Sequence, residues 1–102
     1  MVAPSKVRSA CGHAVTFHRP LEAFPEQVYR HNGKVLFEGW ALEGVPADCV
    51  KVGVARLVPE PVDLVLSGIN AGCNVGIHTH YSGTVAAARE AAIGDLPTIA
   101  IS

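Results

Sequence analysis

Ser67–Thr84 reads SGINAGCNVGIHTHYSGT. Glycines stand at 68, 72, 76 and 83, amide side chains at 70 and 74, and hydroxyls at 67, 79, 82 and 84. Glycines let bare backbone N–H groups approach an anion, and amides and hydroxyls add further donors. An apolar run, Val62–Leu66, leads into the stretch, and a helix-like run, Val85–Ile93, leaves it. That order places Asn70 just beyond a strand and Ser82, Gly83 and Thr84 at a helix start, where N–H groups with hydroxyls suit a phosphate. The Asn70 carbonyl oxygen is also a hard ligand, acceptable to magnesium or manganese. The glycine spacing is neither GxGxxG nor GxxxxGK[ST], so it indicates neither a dinucleotide nor a P-loop nucleotide site. The bland alternative is a glycine-rich turn followed by a capped helix.

Other residues offer weaker chemistry. His78 and His80 would share a face if the segment were a strand, and two imidazoles suit zinc, although no third ligand is evident nearby. His13 and His18 are five apart, with no cysteine or carboxylate at ligand spacing. Nothing around Cys11, Cys49 or Cys73 suggests an activated thiolate. Asp48 reads first as a helix-start charge rather than a catalytic acid. Trp40 reads as a core or edge aromatic rather than a base-stacking platform.

The remaining residues must form the elements that hold this loop. Pro4–Thr16 carries proline, glycine, hydroxyls and two basic residues, which is loop chemistry, with Ser9 and Gly12 able to approach a ligand. Val28–Arg30 and Val35–Phe37 flank His31-Asn32-Gly33-Lys34, the pattern of a β-hairpin, and the hairpin is expected over about 25–40 with Trp40 at its foot. Residues 44–58 are expected to be helical, with Pro46 in the first turn and Ala47, Val50, Val54 and Leu57 as the apolar stripe. Lys51 and Arg56 are expected to face outward. Gly53 costs about 1 kcal/mol against Ala inside a helix, which suggests close packing on a neighbour. Asp63–Leu66 lacks polar alternation and fits a strand buried on both faces. Val85–Ile93 is expected to be helical, with Val85, Ala88 and Ala92 on one face and Gly94 as its cap, before a buried strand at Thr98–Ser102. Strand, loop, helix and strand make a βαβ unit. The expected class is α/β, a mostly parallel sheet with a hairpin insertion, in one domain over 1–102.

Composition narrows the function classes. The chain has 102 residues, 49% apolar, with a formal net charge of −1. That balance gives no basic excess for a nucleic-acid duplex. No apolar run nears the roughly 18 residues of a membrane span. Three cysteines without CxxC spacing suggest reduced thiols and a cytoplasmic setting. Val2-Ala3-Pro4 looks like the end of a strand and TIAIS like a strand with nothing after it, so a fragment is expected.

Five motifs are linked in order. They are V-A-P-x-x-x-x-S-x-x-G-H-A-V-T at 2–16, P-A-D-C-V-K at 46–51, D-L-V-x-S-G-I-N-x-G-x-N-x-G at 63–76, Y-S-G-T-V-x-x-A-R-E-A at 81–91 and L-P-x-I-A-I-S at 96–102. Together they closely resemble the SurE family, survival proteins that act as metal-dependent 5′/3′-nucleotidases and also on short polyphosphate. The resemblance implies a Rossmann-like fold and one divalent ion, Mg²⁺ or Mn²⁺, per subunit, held by two adjacent Asp, a Ser and an Asn. The Ser falls on Ser9 and the Asn on Asn70, which would be the catalytic and metal-binding residues. Asn74, Ser82, Gly83 and Thr84 match the loop that lines the phosphate site. The implied substrate is a nucleoside monophosphate or another small phosphomonoester, and the implied intact assembly is a homo-oligomer, dimer or tetramer. The family's Asp pair lies ahead of V-A-P, and no Asp-Asp occurs in these residues. The alternative is therefore an inactive remnant that at most binds phosphate or nucleotide. Ser5 stands where an acidic residue is common, and Val45 where Thr usually precedes Pro-Ala-Asp-Cys.

Overall fold

The computed structural model describes Met1–Ser102. Five strands form, β1 (Val2–Pro4), β2 (Ala23–Tyr29), β3 (Val35–Leu42), β4 (Val65–Ser67) and β5 (Thr98–Ala100), with helices α1 (Pro46–Val52) and α2 (Gly83–Ile93). A wider π-type turn, Gly53–Leu57, extends α1, and a 3₁₀ turn, Gly76–His80, precedes α2. The strands make two sheets, ordered β1-β3-β2 and β4-β5. Pairings β1–β3 and β4–β5 are parallel, and β2–β3 is antiparallel. The α/β class and the mostly parallel pairing match expectation.

Local chemistry explains the elements that were legible. Around the Asn-Gly turn, the Arg30 N–H donates to the Lys34 carbonyl at 2.7 Å, and Gly33 takes a φ of +78°. The hairpin is longer than expected, and Trp40 lies within β3 opposite Val2 and Pro25 rather than at a foot. Pro46 opens α1 at a position where its missing N–H leaves nothing unpaired. Gly53 is buried, and a Cβ there would come within 3.2 Å of Val2 Cγ2, so the expected close packing is between helix and β1. Gly94 caps α2, its N–H reaching the Glu90 and Ala91 carbonyls.

Both helices pack against each other, α1 over β1 and α2 over β4 and β5, so they cover one face of the strands. The opposite face carries no helix. Leu66 and Ile99 are register partners pointing that way, 63% and 51% exposed, while Val65, Ser67 and Thr98 turn toward α2 and are half-buried. Strands expected to be buried on both faces are therefore covered on one. An apolar run reports that a strand can be covered, not that a covering layer is present. The same openness leaves Val54 exposed in the expected α1 stripe, while Ala47 and Cys49 are buried. In α2 the buried residues are Ala86, Ala87, Ala88, Glu90 and Ala91 rather than Val85 and Ala92. Between β1 and β4, whose facing edges are unpaired, runs a groove of about 460 Å³ lined by Met1–Pro4, Leu64–Gly68 and the apolar side of α1.

Asp48 is more than a helix-start charge. It is 1% exposed and accepts from the Val45 N–H at 3.0 Å, the Thr16 N–H at 2.9 Å and the Thr16 hydroxyl at 2.8 Å. It caps α1 and ties down the far end of the Pro4–Thr16 loop. Hydrogen bonds to a charged group contribute about 1.5–3 kcal/mol each, and a buried donor left unpaired costs more than an exposed one. Asp48→Ala is therefore expected to lower the unfolding free energy by about 2–4 kcal/mol, read from urea denaturation. An unchanged urea midpoint would remove Asp48 from this role.

Candidate anion site at the strand ends

The residues that follow β1 and β4 meet the start of α2 in one cavity of about 370 Å³. Its walls include Ser9 from the loop after β1, Asn70 and Asn74 from the loop after β4, and Ser82, Gly83 and Thr84 from the entry to α2. All six residues singled out in the sequence thus line a single space. Because the segments after β1 and after β4 reach the same cavity, both strands run toward it. The cavity sits at the carboxyl ends of the strands, where open α/β sheets bind ligands.

Each wall has a physical reason for its place. Ser82 is the N-cap of α2, its hydroxyl accepting from the Val85 N–H at 3.2 Å. Ser67 donates its hydroxyl to the Thr84 carbonyl at 2.8 Å, which fastens the end of β4 to the first turn of α2. A Cβ on residue 83 would come within 2.7 Å of Pro46 Cγ and 3.2 Å of Cys11 Sγ, so glycine lets the α2 start close on α1 and on the Ser9 loop. The Asn70 amide nitrogen donates to the Gly72 carbonyl at 2.6 Å, leaving its side-chain oxygen as the ligand end. Asn74 donates to the Ser102 hydroxyl at 2.6 Å.

The lining also includes residues that the sequence did not place at this site: Arg8, Cys73, His78 and Tyr81. Arg8 was detectable only as a basic residue beside Ser9. It is the one permanent cation in the wall, and the wall contains no carboxylate. With the positive end of the α2 dipole, the cavity favours an anion. Ser9 and Asn70 offer two neutral hard oxygens, and no group of three His, Cys, Asp or Glu that could hold a metal occurs. These residues alone do not make a magnesium or manganese site.

His78 and His80 lie in the 3₁₀ turn, not in a strand. At three residues per turn, i and i+2 point apart, so the zinc pairing loses its geometric basis. Cys49 is pushed up to about 12 by burial and then by the Asp48 charge, so its thiol stays protonated and is no nucleophile.

Behind the cavity, Lys51 faces outward as expected, its side chain 52% exposed, but it is also paired. Its Nζ donates to Glu90 Oε1 at 2.6 Å, and His13 Nε2 lies 2.8 Å from Glu90 Oε2. Glu90 is 8% exposed and joins α1, α2 and the Ser9 loop. No periodic signal marks this cluster, since its partners are 39 and 77 residues from Glu90 in the chain.

Comparison with known proteins agrees with the fold. The family model described as "Survival protein SurE" matches residues 1–102. The chain belongs to the SurE family. It is 53% identical to the 5′-nucleotidase SurE of Desulfatibacillum aliphaticivorans over all 102 residues, which cover 38% of that relative. It is 54% identical to the 5′-nucleotidase SurE of Syntrophus aciditrophicus strain SB, covering 36% of it. Among solved structures, the SurE protein of Aquifex aeolicus superposes with a TM-score of 0.74 at 39% identity, over 97% of this chain and 37% of that one. The chain thus spans under two fifths of the length of these SurE relatives. No helix is long and apolar enough to cross a membrane.

The Lys51 ammonium, hydrogen-bonded to Glu90, holds its carboxyl below the ordinary 4.5; burial pushes the other way, and His13 adds to the lowering. A carboxylate whose folded value lies below its unfolded one stabilises fully above the unfolded value, and that contribution is lost as pH falls through the folded value. Glu90→Gln is expected to lower the thermal midpoint near pH 7. The gap to wild type should shrink as the pH is taken below 4.5. A gap that stayed constant from neutral to acid pH would contradict the pairing.

Proposed function

We propose that this chain is the phosphate-holding part of a SurE-type metal-dependent phosphomonoesterase acting on nucleoside 5′- or 3′-monophosphates. The observation that carries the reading is the convergence of Ser9, Asn70, Asn74, Ser82, Gly83 and Thr84 on one cavity at the strand ends, with the start of α2 aimed into it. In this reading the helix-start N–H groups and the Ser82 and Thr84 hydroxyls hold the phosphoryl oxygens, Asn74 and Arg8 flank them, and the same donors stabilise charge that develops on those oxygens. Ser9 and Asn70 contribute neutral oxygens to a divalent ion, which supplies Lewis-acid polarisation and an activated water. The carboxylates needed to hold that ion are not among these residues, and no step through it is assigned to them. Cytoplasmic localisation and assembly as a dimer or tetramer belong to the same reading.

The groove between β1 and β4 bears on the missing carboxylates. Both edges run toward the cavity, and the groove and cavity share Pro46 and Thr84 as walls. The resemblance puts the acidic pair in the strand-loop ahead of V-A-P. One apolar strand laid in the groove, parallel to both edges, would pair with both and release its following residues beside Ser9 and Asn70. A synthetic peptide of apolar residues ending in Asp-Asp is expected to bind the chain and raise its Mn²⁺ affinity at least about tenfold over the Asn-Asn version, measured by calorimetry. Equal Mn²⁺ affinity with the two peptides would refute this completion.

The catalytic assignment is tested by grafting residues 1–102 in place of the matching stretch of the Aquifex aeolicus protein. Mn²⁺-dependent release of phosphate from a nucleoside monophosphate is expected, with Asn70→Ala lowering kcat/KM at least about 100-fold, more than the loss of an outer-sphere partner. Full activity in the Asn70→Ala graft would defeat the assignment. A second reading is favoured by the carboxylate-free wall: alone, the chain binds phosphate without turnover. Metal-dependent turnover by the 102-residue chain would eliminate it.

A further inference from the structure

The Ser9 loop has no regular secondary structure between β1 and β2, yet it forms one wall of the cavity. Three ties hold its middle. The Gly12 N–H donates to the Tyr81 carbonyl at 3.0 Å, His13 meets Glu90 at 2.8 Å, and Thr16 meets Asp48. The first tie lies one residue before the Ser82 cap, so the loop is fastened directly to the start of α2. The second lies two turns further along the same helix. Lys51 of α1 holds Glu90 from the other side at 2.6 Å, so the carboxylate keeps a second partner if the loop moves.

We propose that Glu90 is a positioning residue for the cavity. Locked to α1 by Lys51, it holds His13 and so keeps Arg8 and Ser9 facing the amino terminus of α2. The inference rests on the anion-site reading above, because the benefit of the lock is a pre-set wall for a phosphate. A hydrogen bond to an ionised carboxylate is shorter and stronger than a neutral one, which makes the tie stiff. Three groups meet at the cluster: Glu90 of α2, Lys51 of α1 and His13 of the loop. Removing His13 separates positioning from helix packing, since the Lys51–Glu90 pair then remains.

The test compares wild type, His13→Ala, His13→Gln and Glu90→Gln. Amide hydrogen exchange is followed residue by residue, and inorganic phosphate is titrated while amide chemical shifts are recorded. For His13→Ala, the Gly12 and Thr16 amides are expected to exchange at least about tenfold faster, with α2 amides and the thermal midpoint little changed, as for a local opening. The phosphate Kd should rise at least about fivefold, because a disordered wall must be ordered on binding. His13→Gln keeps a donor and should recover most of both effects. Glu90→Gln should repeat the loop effect on exchange, and Lys51→Met serves in its place if that variant does not fold.

A merely structural role predicts instead that every amide speeds up together and that the Gln variant recovers nothing. Loop exchange unchanged in both His13→Ala and the Glu90 or Lys51 variant would overturn the proposal. If phosphate leaves the wild-type shifts of Ser82–Thr84 unmoved, the anion-site reading fails. The exchange data then still decide whether Glu90 holds the loop.

Discussion

The close approach of two helix starts governs this structure. Gly83 at the beginning of α2 lies against Pro46 at the beginning of α1, with no room for a Cβ between them, and tightly against Cys11 of the Ser9 loop. Pro46 tolerates the contact because it has no N–H to protect there. With those starts side by side, the positive end of α2 opens at the carboxyl end of β4, and Ser67 can bond the Thr84 carbonyl. The loop after β1 can also reach Tyr81 and Glu90. A bulky residue at 83 would push α2 away from α1 and take the cavity wall with it.

Two buried carboxylates then tie the irregular segments to this helix pair in different ways. Asp48 accepts three bonds from neutral groups and works as a rigid corner between α1 and Thr16. Glu90 accepts from one cation and one imidazole and bridges three segments. Apolar burial contributes comparatively little at the site, since only 12 of 102 residues are buried, and most of those are small. Where the core is thin, polar ties with defined geometry decide where a loop sits.

Local signals were readable in the sequence and long-range ones were not. Asn32-Gly33 fixed the hairpin turn, Pro46 and Gly94 marked helix ends, and Gly53 announced a close neighbour, because each rule acts within a few residues. The six cavity residues were also legible, as hydroxyls, amides and glycines at the strand-to-helix passage and as family motifs. Lys51 does face outward as read, but its pairing with Glu90 on another helix is something no spacing within α1 reveals. The shared face of His78 and His80 was conditional on a strand, and the 3₁₀ turn observed there points the same residues apart. The apolar strand β4 was read as covered on both faces and β5 as buried, while Leu66 and Ile99 face an open side.

The charge pattern of the cavity bears on the order in which ligands enter it. A helix start carries roughly half a positive charge, Arg8 adds a full one, and no carboxylate opposes them. A divalent cation approaching Ser9 and Asn70 alone meets repulsion, and neutral oxygens recover little of its hydration. A phosphate meets attraction from the same groups. Once seated, its oxygens would reverse the local sign. In the proposed reading, phosphate and metal therefore bind with positive coupling in this wall, and carboxylates laid beside Ser9 would relieve the metal of that dependence. The charge pattern of this wall favours an anion, and in the proposed reading the negative charge a cation needs would come from carboxylates outside it.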